Sequence, residues 1–249
     1  MNKKLVGVVL VLALVVVMLT GCTEAPKEVK VFKGLGNAIA FRVGPGADSE
    51  TVPVYSFNVV VADVTFDAAG KILDSTVDIL EVSTPNYDGE GMPHFPGWPG
   101  TVGYNNTDHA TEKVVGKADT SVEAVAKEVN GWLTKRERGD NYHMNPKNEW
   151  YKQMDWYESF FKGKTVAELE AIFAKSFSDR NGRPLDPKTT NEVDLAKANK
   201  LTDAEKTAVT DIRTHATMSL RDPHGDILGA LKDAFEKKVE ISIPIPAAK

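Results

Sequence analysis

The 249-residue sequence is short of cysteine, since it contains only Cys22. A single cysteine excludes an intramolecular disulfide framework, so the domain must be held together by a hydrophobic core. The sequence also lacks an excess of positive charge, because 30 Lys and Arg residues stand against 35 Asp and Glu residues. An acidic chain of this kind argues against nucleic acid as a partner.

Long apolar runs are also missing, and none reaches the roughly 20 residues that a helix needs to cross a bilayer. The apolar run Leu5–Leu19 follows the cationic residues Lys3 and Lys4 and ends in Thr20-Gly21-Cys22. This pattern of charge, length and small exit residues predicts a signal peptide over residues 1–21. A retained transmembrane helix is the weaker alternative.

The residues Leu19-Thr20-Gly21-Cys22 resemble the lipobox of bacterial lipoproteins. The resemblance implies that Cys22 carries a diacylglycerol and further acyl chains such as palmitate, which anchor the protein at the cell membrane, facing outside the cytoplasm. Two or more acyl chains on one residue give stable anchoring. Residues 22–30 would form the lipidated Cys and a polar spacer. The alternative, a buried structural cysteine, fits poorly with a position between an apolar and a polar segment.

Strand patterns dominate residues 29–82. The β-branched runs 54–66 and 71–82 are joined by Asp67-Ala68-Ala69-Gly70, which predicts an antiparallel hairpin. Apolar residues between 31 and 43 alternate with glycines, which predicts short strands joined by tight turns. The apolar segment Val239–Ile245 predicts a closing strand at a sheet edge.

Helical periodicity dominates the rest of the chain. Ser121, Thr165 with Glu168, and Thr202 with Glu205 are predicted to open helices. Further helices are predicted over about 148–161 and 226–237, with a polar linker over 178–200 and a functional loop over 83–107. We expect an α+β fold in which helices pack on one antiparallel sheet. The domain would span 31–245, with a loop and helical insertion at about 87–199, and the helices over 121–177 would be an insertion or a lid.

The segment Asp211-Ile212-Arg213-Thr214-His215-Ala216-Thr217-Met218-Ser219 resembles the flavinylation motif of the FMN-binding domain family. That family includes the G subunit of the Rnf complex and the C subunit of the sodium-pumping NADH:quinone oxidoreductase. Its motif has an Asp, then Ser/Thr, Gly, Ala, the acceptor Thr, any residue and Ser/Thr. The resemblance implies that a flavin transferase joins FMN to Thr217 as a phosphoester. Thr214, Ala216 and Ser219 would be further cofactor-binding residues, and so would His215, which replaces the family's Gly.

A second resemblance lies earlier in the chain. Gly70-Lys71-Ile72 is similar to the family's D-G-K-I turn, and Ser83-Thr84-Pro85 to its E-T-P-G loop, which implies that Thr84 also binds the cofactor. The resemblance covers about 29–86 and 200–237. In the family the motif leads directly into a helix, whereas here Arg221–Gly225 intervenes.

The family resemblance implies a membrane-anchored carrier that passes electrons between redox donor and acceptor proteins or a quinone. No substrate-turning catalytic residue is predicted. The alternative is a non-redox ligand-binding surface lipoprotein of the same fold. An exported enzyme ranks last, because no nucleophile elbow or paired-carboxylate signature is present. No metal site is predicted either, because His215, His224, Asp222 and Asp226 lack a tight ligand spacing.

Overall fold

A computed structural model of the chain describes residues 28–47, 53–85, 92–108, 111 and 113–244. The predicted signal peptide, the predicted lipid-anchor residue Cys22, most of the predicted spacer and Ile245 lie outside the described residues. The chain divides into two compact units, residues 1–30 with 242–249 and residues 31–241. In the first unit only the ends of two strands are described, so the architecture below concerns the second.

The elements follow one another along the chain in the order β1 (Glu28–Ala47), β2 (Pro53–Phe66), β3 (Ile72–Ser83), β4 (Asn105–Thr107), β5 (Val114–Lys117), α1 (Val122–Asn130), α2 (Lys135–Arg138), a 3₁₀ turn (Gly139–Tyr142), α3 (Trp150–Phe161), α4 (Val166–Ser176), α5 (Glu192–Ala198), α6 (Asp203–His215), β6 (Arg221–Asp222), β7 (Gly225–Asp226), α7 (Ile227–Glu236) and β8 (Val239–Pro244). The main sheet has the strand order β3-β2-β1-β8. The predicted α+β fold with an antiparallel sheet and packed helices is therefore confirmed.

The β2–β3 hairpin forms where the sequence predicts it, with Ala62 opposite Val77 in an antiparallel register. The Asp67 carboxylate accepts hydrogen bonds from the backbone N–H groups of Ala69 and Lys71, both at 2.8 Å. Gly70 adopts a φ of 79°, a left-handed conformation that favours glycine. The side chain of Asp67 and the backbone freedom of Gly70 thus fix the turn.

The prediction of short strands at the start of the domain is wrong, because β1 is one continuous strand. Its pairing with β2 runs without interruption from Phe32 opposite Phe66 to Val43 opposite Tyr55. Gly34 and Gly36 are needed for a close approach and not for turns. A Cβ on either residue would overlap the backbone of α7, which crosses the sheet at this point. The glycine pattern therefore marks a helix–sheet contact.

The core lies between one face of the sheet and α3, α4 and α7. Val60 and Phe66 of β2 belong to the same buried cluster as Met154 and Tyr157 of α3 and Leu231 of α7. Helices within the predicted insertion therefore complete the core of the domain and do not form a lid over it. Their burial removes apolar surface from water, which is the main favourable contribution to folding.

The predicted capping boxes at Thr165 with Glu168 and at Thr202 with Glu205 are present at the starts of α4 and α6. The predicted polar linker contains α5, whose N-cap is Asn191. Within the predicted loop, Phe95 donates a backbone hydrogen bond to Ser83 at 2.8 Å, so this part of the loop pairs with the end of β3. Within the described ranges, no helix has the length and apolarity required to span a membrane.

Candidate functional site

Thr217 lies just beyond the C-terminal end of α6. The helix ends at His215, and Ala216 continues in an extended conformation with a φ of −144°. Successive side chains of an extended segment point in opposite directions. Ala216 and Met218 are accordingly buried, whereas the Thr217 side chain is exposed. The local backbone therefore presents the Thr217 hydroxyl at the surface between two buried neighbours.

Helix α3 holds this segment in place. Gln153 is fully buried, and its side-chain oxygen accepts hydrogen bonds from the backbone N–H groups of Thr217 at 2.8 Å and Met218 at 3.1 Å. The Gln153 amide donates in turn to the Asn148 carbonyl at 2.7 Å. The Tyr157 hydroxyl donates to the Met218 carbonyl at 3.1 Å. Burial raises the pKa of Tyr157, so this hydroxyl keeps its proton and remains a donor.

His215, which replaces the glycine of the FMN-binding motif, has a defined place in this structure. Its ring stacks on Trp156 of α3 with the ring centroids 5.0 Å apart and an angle of 5° between the planes. The Asn148 side chain donates to the His215 carbonyl at 2.7 Å. In the described part of the chain, His143 is the only non-glycine residue with a positive φ, so position 215 does not require glycine.

A cavity of about 300 Å³ opens beside Thr217, which lines it together with Met218 and Ser219. This volume is at the lower end of the range for small-molecule sites. Strand β3, the helical insertion and the turn before α7 supply the remaining wall. The polar and aromatic side chains of that wall are Lys135, Tyr142, Asn145, Trp150, Gln153, Arg183, Asp222 and His224.

A buried ion pair supports one side of the cavity. Lys135 Nζ lies 2.9 Å from the Glu81 carboxylate, and both side chains are almost fully buried. Arg42 lies 3.3 Å from the other oxygen of Glu81. Burial alone would raise the pKa of Glu81, but Lys135, together with His224 and Arg42, lowers it below its ordinary value. Glu81 therefore remains a carboxylate near neutral pH.

Arg183 brings positive charge to the cavity. Its side chain is exposed and lines the cavity, and it forms no ion pair with any residue that the structure describes. A guanidinium in this situation can bind an anionic group such as a phosphate.

The structure brings two of the predicted cofactor-binding residues, Thr217 and Ser219, to the cavity wall. Ala216 is buried, and the Thr214 hydroxyl bonds the Asp211 carbonyl at 2.7 Å. Thr84 pairs with Tyr55, whose backbone N–H donates to the Thr84 hydroxyl at 3.2 Å. Thr84, Thr214, His215 and Ala216 are not part of the cavity wall.

Thr217 does not lead directly into a helix, because the β6–β7 hairpin, formed by the intervening segment Arg221–Gly225 with Asp226, separates it from α7. The Asp226 carboxylate caps α7 by accepting a hydrogen bond from the backbone N–H of Gly229 at 2.7 Å. The N-terminus of α7 therefore already has an anionic partner. Within the described ranges, no group of three or more His, Cys, Asp or Glu side chains is arranged to hold a metal ion.

The sequence is similar to that of a protein named chlorophenol reductase from Desulfitobacterium hafniense, with 36% identity over 225 residues. The match covers 87% of this chain and 61% of that protein, so the chain spans about three fifths of the relative's length. No protein-family profile and no solved structure matches the chain. Membership of the FMN-binding domain family therefore stays a prediction from the motif.

Proposed function

We propose that this chain is an extracytoplasmic flavoprotein that carries FMN covalently on Thr217 and transfers electrons, held at the membrane by a lipid on Cys22. The observation that carries the proposal is the exposed Thr217 side chain beside a cavity, on a backbone fixed by Gln153 and Tyr157. A flavin transferase needs an accessible hydroxyl, and Thr217 presents one. The relative's name supports a redox role, since a reductase acts by transferring electrons.

The residues around the cavity fit a flavin phosphate. A phosphoester on Thr217 would lie at the C-terminal end of α6, where the helix dipole is unfavourable for an anion. Positive side chains must therefore balance the phosphate. Arg183 lines the same cavity as Thr217 and has no ion pair among the described residues, so it is the candidate partner. Lys135 is already paired with Glu81.

The remaining wall suits an aromatic group, because Tyr142 and Trp150 contribute rings and Ile79, Met144 and Met218 contribute apolar surface. Bound FMN would supply the electron-transfer chemistry, and the protein would position it and tune its potential. Covalent attachment would prevent loss of the cofactor outside the cytoplasm. The lipid on Cys22 would keep the site close to membrane donors and to an acceptor protein or a quinone.

The decisive experiment is to express the exported chain together with a flavin transferase and to look for flavin fluorescence in a denaturing gel. We expect fluorescence that survives denaturation, an intact mass increased by one FMN, and loss of both in Thr217→Ala. Thr210→Ala is the matched control. Its hydroxyl is also exposed on α6 and bonds the Lys206 carbonyl at 2.8 Å, so its removal should leave labelling intact. A dark wild-type band beside a labelled reference flavoprotein would end the proposal.

A second candidate is direct reduction of a small aromatic compound, of which a chlorophenol is the example given by the relative's name. The cavity beside Thr217 favours this candidate, because an electron carrier that passes electrons to another protein at its surface does not need a recess that can hold a small molecule. Turnover of a small acceptor by the flavin-loaded chain would distinguish a reductase from a carrier.

A further inference from the structure

The turn Asp222-Pro223-His224-Gly225 joins β6 to β7 and lies where the motif of the FMN-binding family leads directly into a helix. It is fixed against the sheet. The Asn58 side chain of β2 donates to the Pro223 carbonyl at 3.0 Å. A Cβ added to Gly225 would come within 2.9 Å of Ile79 on β3, so the turn packs directly on the strand. Its side chains therefore have defined positions at the cavity.

Asp222 orients the ring of His224. One carboxylate oxygen accepts the backbone N–H of His224 at 2.8 Å, and the other lies 3.1 Å from His224 Nδ1. Burial alone would raise the pKa of Asp222, but hydrogen bonds from His224 and Ser219 hold it below its ordinary value. Asp222 is therefore a carboxylate that accepts the proton on Nδ1. The other nitrogen, Nε2, is left to exchange protons.

The position of this pair suits proton delivery. His224 and Asp222 line the same cavity as Thr217. The His224 side chain is 43% exposed, whereas that of Asp222 is 11% exposed, so the imidazole can recover a proton from water while its orienting partner stays buried. An imidazole whose Nδ1 is held by a partner can still donate a proton from Nε2.

We propose that His224, oriented by Asp222, donates a proton to a small quinone that is reduced in this cavity. The proposal rests on the proposed function, because the electrons come from reduced FMN on Thr217. It makes the chain a reductase of small acceptors and not solely an electron carrier.

The reduction balances for an acceptor of the quinone class. The acceptor takes two electrons from reduced FMN and two protons. The Nε2–H bond of the His224 imidazolium breaks as one O–H bond forms on the acceptor. The second proton is the one that anionic reduced FMN loses on oxidation, so the products are neutral imidazole, oxidised FMN and the hydroquinone. The neutral imidazole then regains its proton from solvent. The charged and titratable groups that face His224 from its own turn, from β3, from the α2 region and from the opposite wall are Asp222, Glu81, Lys135, Tyr142 and Arg183.

In the test, the flavin-loaded full chain is reduced anaerobically with dithionite. The reduced chain is then mixed with one of two oxidants in a stopped-flow instrument. One is 2,6-dimethyl-1,4-benzoquinone, which needs protons, and the other is ferricyanide, which takes electrons without protons. We expect His224→Gln to slow oxidation by the quinone about 100-fold, the lower end of the range for general acid catalysis, and to leave oxidation by ferricyanide unchanged.

His143→Asn is the matched control, because the His143 side chain is exposed and is not part of the cavity wall, and asparagine tolerates the positive φ of 56° at this position. It should leave both rates unchanged. An unchanged quinone rate in His224→Gln, or an equal loss with both oxidants, would overturn the assignment of His224 while leaving the flavin on Thr217 intact.

Imidazole nitrogen NMR of the unloaded full chain gives a second measurement that does not depend on flavin. Neutral His224 should carry its proton on Nδ1, and Asp222→Asn should change that tautomer. The quinone probe should shift the His224 signals and not those of His215. Absence of these effects rejects the pair, whereas a missing flavin in the denaturing gel rejects the proposed function.

Discussion

Replacement of Gln153 by Met tests how the acceptor segment is held. Methionine has a similar volume but accepts only weak hydrogen bonds, so the backbone N–H groups of Thr217 and Met218 lose their acceptor. A buried donor left without a partner costs about 1–3 kcal/mol. Met218 is buried and Thr217 is exposed, so water can reach one of the two donors more easily. We therefore expect a total loss of about 2–4 kcal/mol in the free energy of unfolding.

Urea denaturation measures this loss. With a slope of about 2–3 kcal/mol per molar urea, the midpoint should fall by roughly 1 M at unchanged slope. Hydrogen exchange should show protected amides at Thr217 and Met218 in the wild type and faster exchange in Gln153→Met. Ser159→Ala, on the exposed side of the same helix, should shift stability by less than about 0.5 kcal/mol. Rapid exchange of both amides in the wild type, or a loss below about 1 kcal/mol, would show that Gln153 does not hold the segment.

Two further substitutions test the framework of the site. Gly36→Ala should destabilise the protein by about 3 kcal/mol or more in urea denaturation, because the added Cβ overlaps the α7 backbone; Gly131→Ala, which has room for a Cβ, should be nearly neutral, and equal losses would refute the close-approach argument. Lys135→Met should cost about 3 kcal/mol at neutral pH, since it leaves Glu81 buried with Arg42 as its remaining ion-pair partner. The pKa of Glu81 is lower in the folded chain than in the unfolded chain, where it is about 4.3. The charge of Glu81 therefore stabilises the fold at pH values above the unfolded-state pKa, and this stabilisation is lost as the pH falls through the folded-state pKa. The difference in the free energy of unfolding between wild type and Lys135→Met should therefore be smaller in denaturation curves measured near pH 4 than at neutral pH. A difference that does not change with pH would contradict the ion-pair argument.

Local signals predicted much of the fold. The capping boxes of α4 and α6 and the Asp67–Gly70 turn each depend on residues close together in sequence, and the structure contains all of them. Gly34 and Gly36 were misleading because glycine serves tight turns and close contacts equally well. The contact that decides between them involves α7, about 200 residues further along the chain. Helix α5 escaped prediction because its short sequence is largely polar and lacks a strong apolar stripe.

The candidate site was also predictable only in part, because it depends on contacts between residues that are far apart in the sequence. The motif points to Thr217 directly, but nothing near Gln153 in the sequence indicates that its side chain caps two backbone N–H groups more than 60 residues away. The charged residues of the cavity are likewise contributed by separate elements, and Arg183 lies in a segment that the sequence presents as a linker. Side chains that act through tertiary contacts leave no periodic or spacing signal.

The accessible Thr217 hydroxyl is therefore a property of the folded domain and not of the nine-residue motif alone. Its exposure depends on burial of Ala216 and Met218, and that burial depends on α3, which also supplies Met154 and Tyr157 to the core shared with the sheet. A flavin transferase that acts on this chain would consequently meet a rigid surface in which the insertion forms one side. Flavin attachment should then follow folding, and Gln153→Met should be labelled more slowly than wild type, because the loosened segment must be ordered again before the hydroxyl is correctly placed.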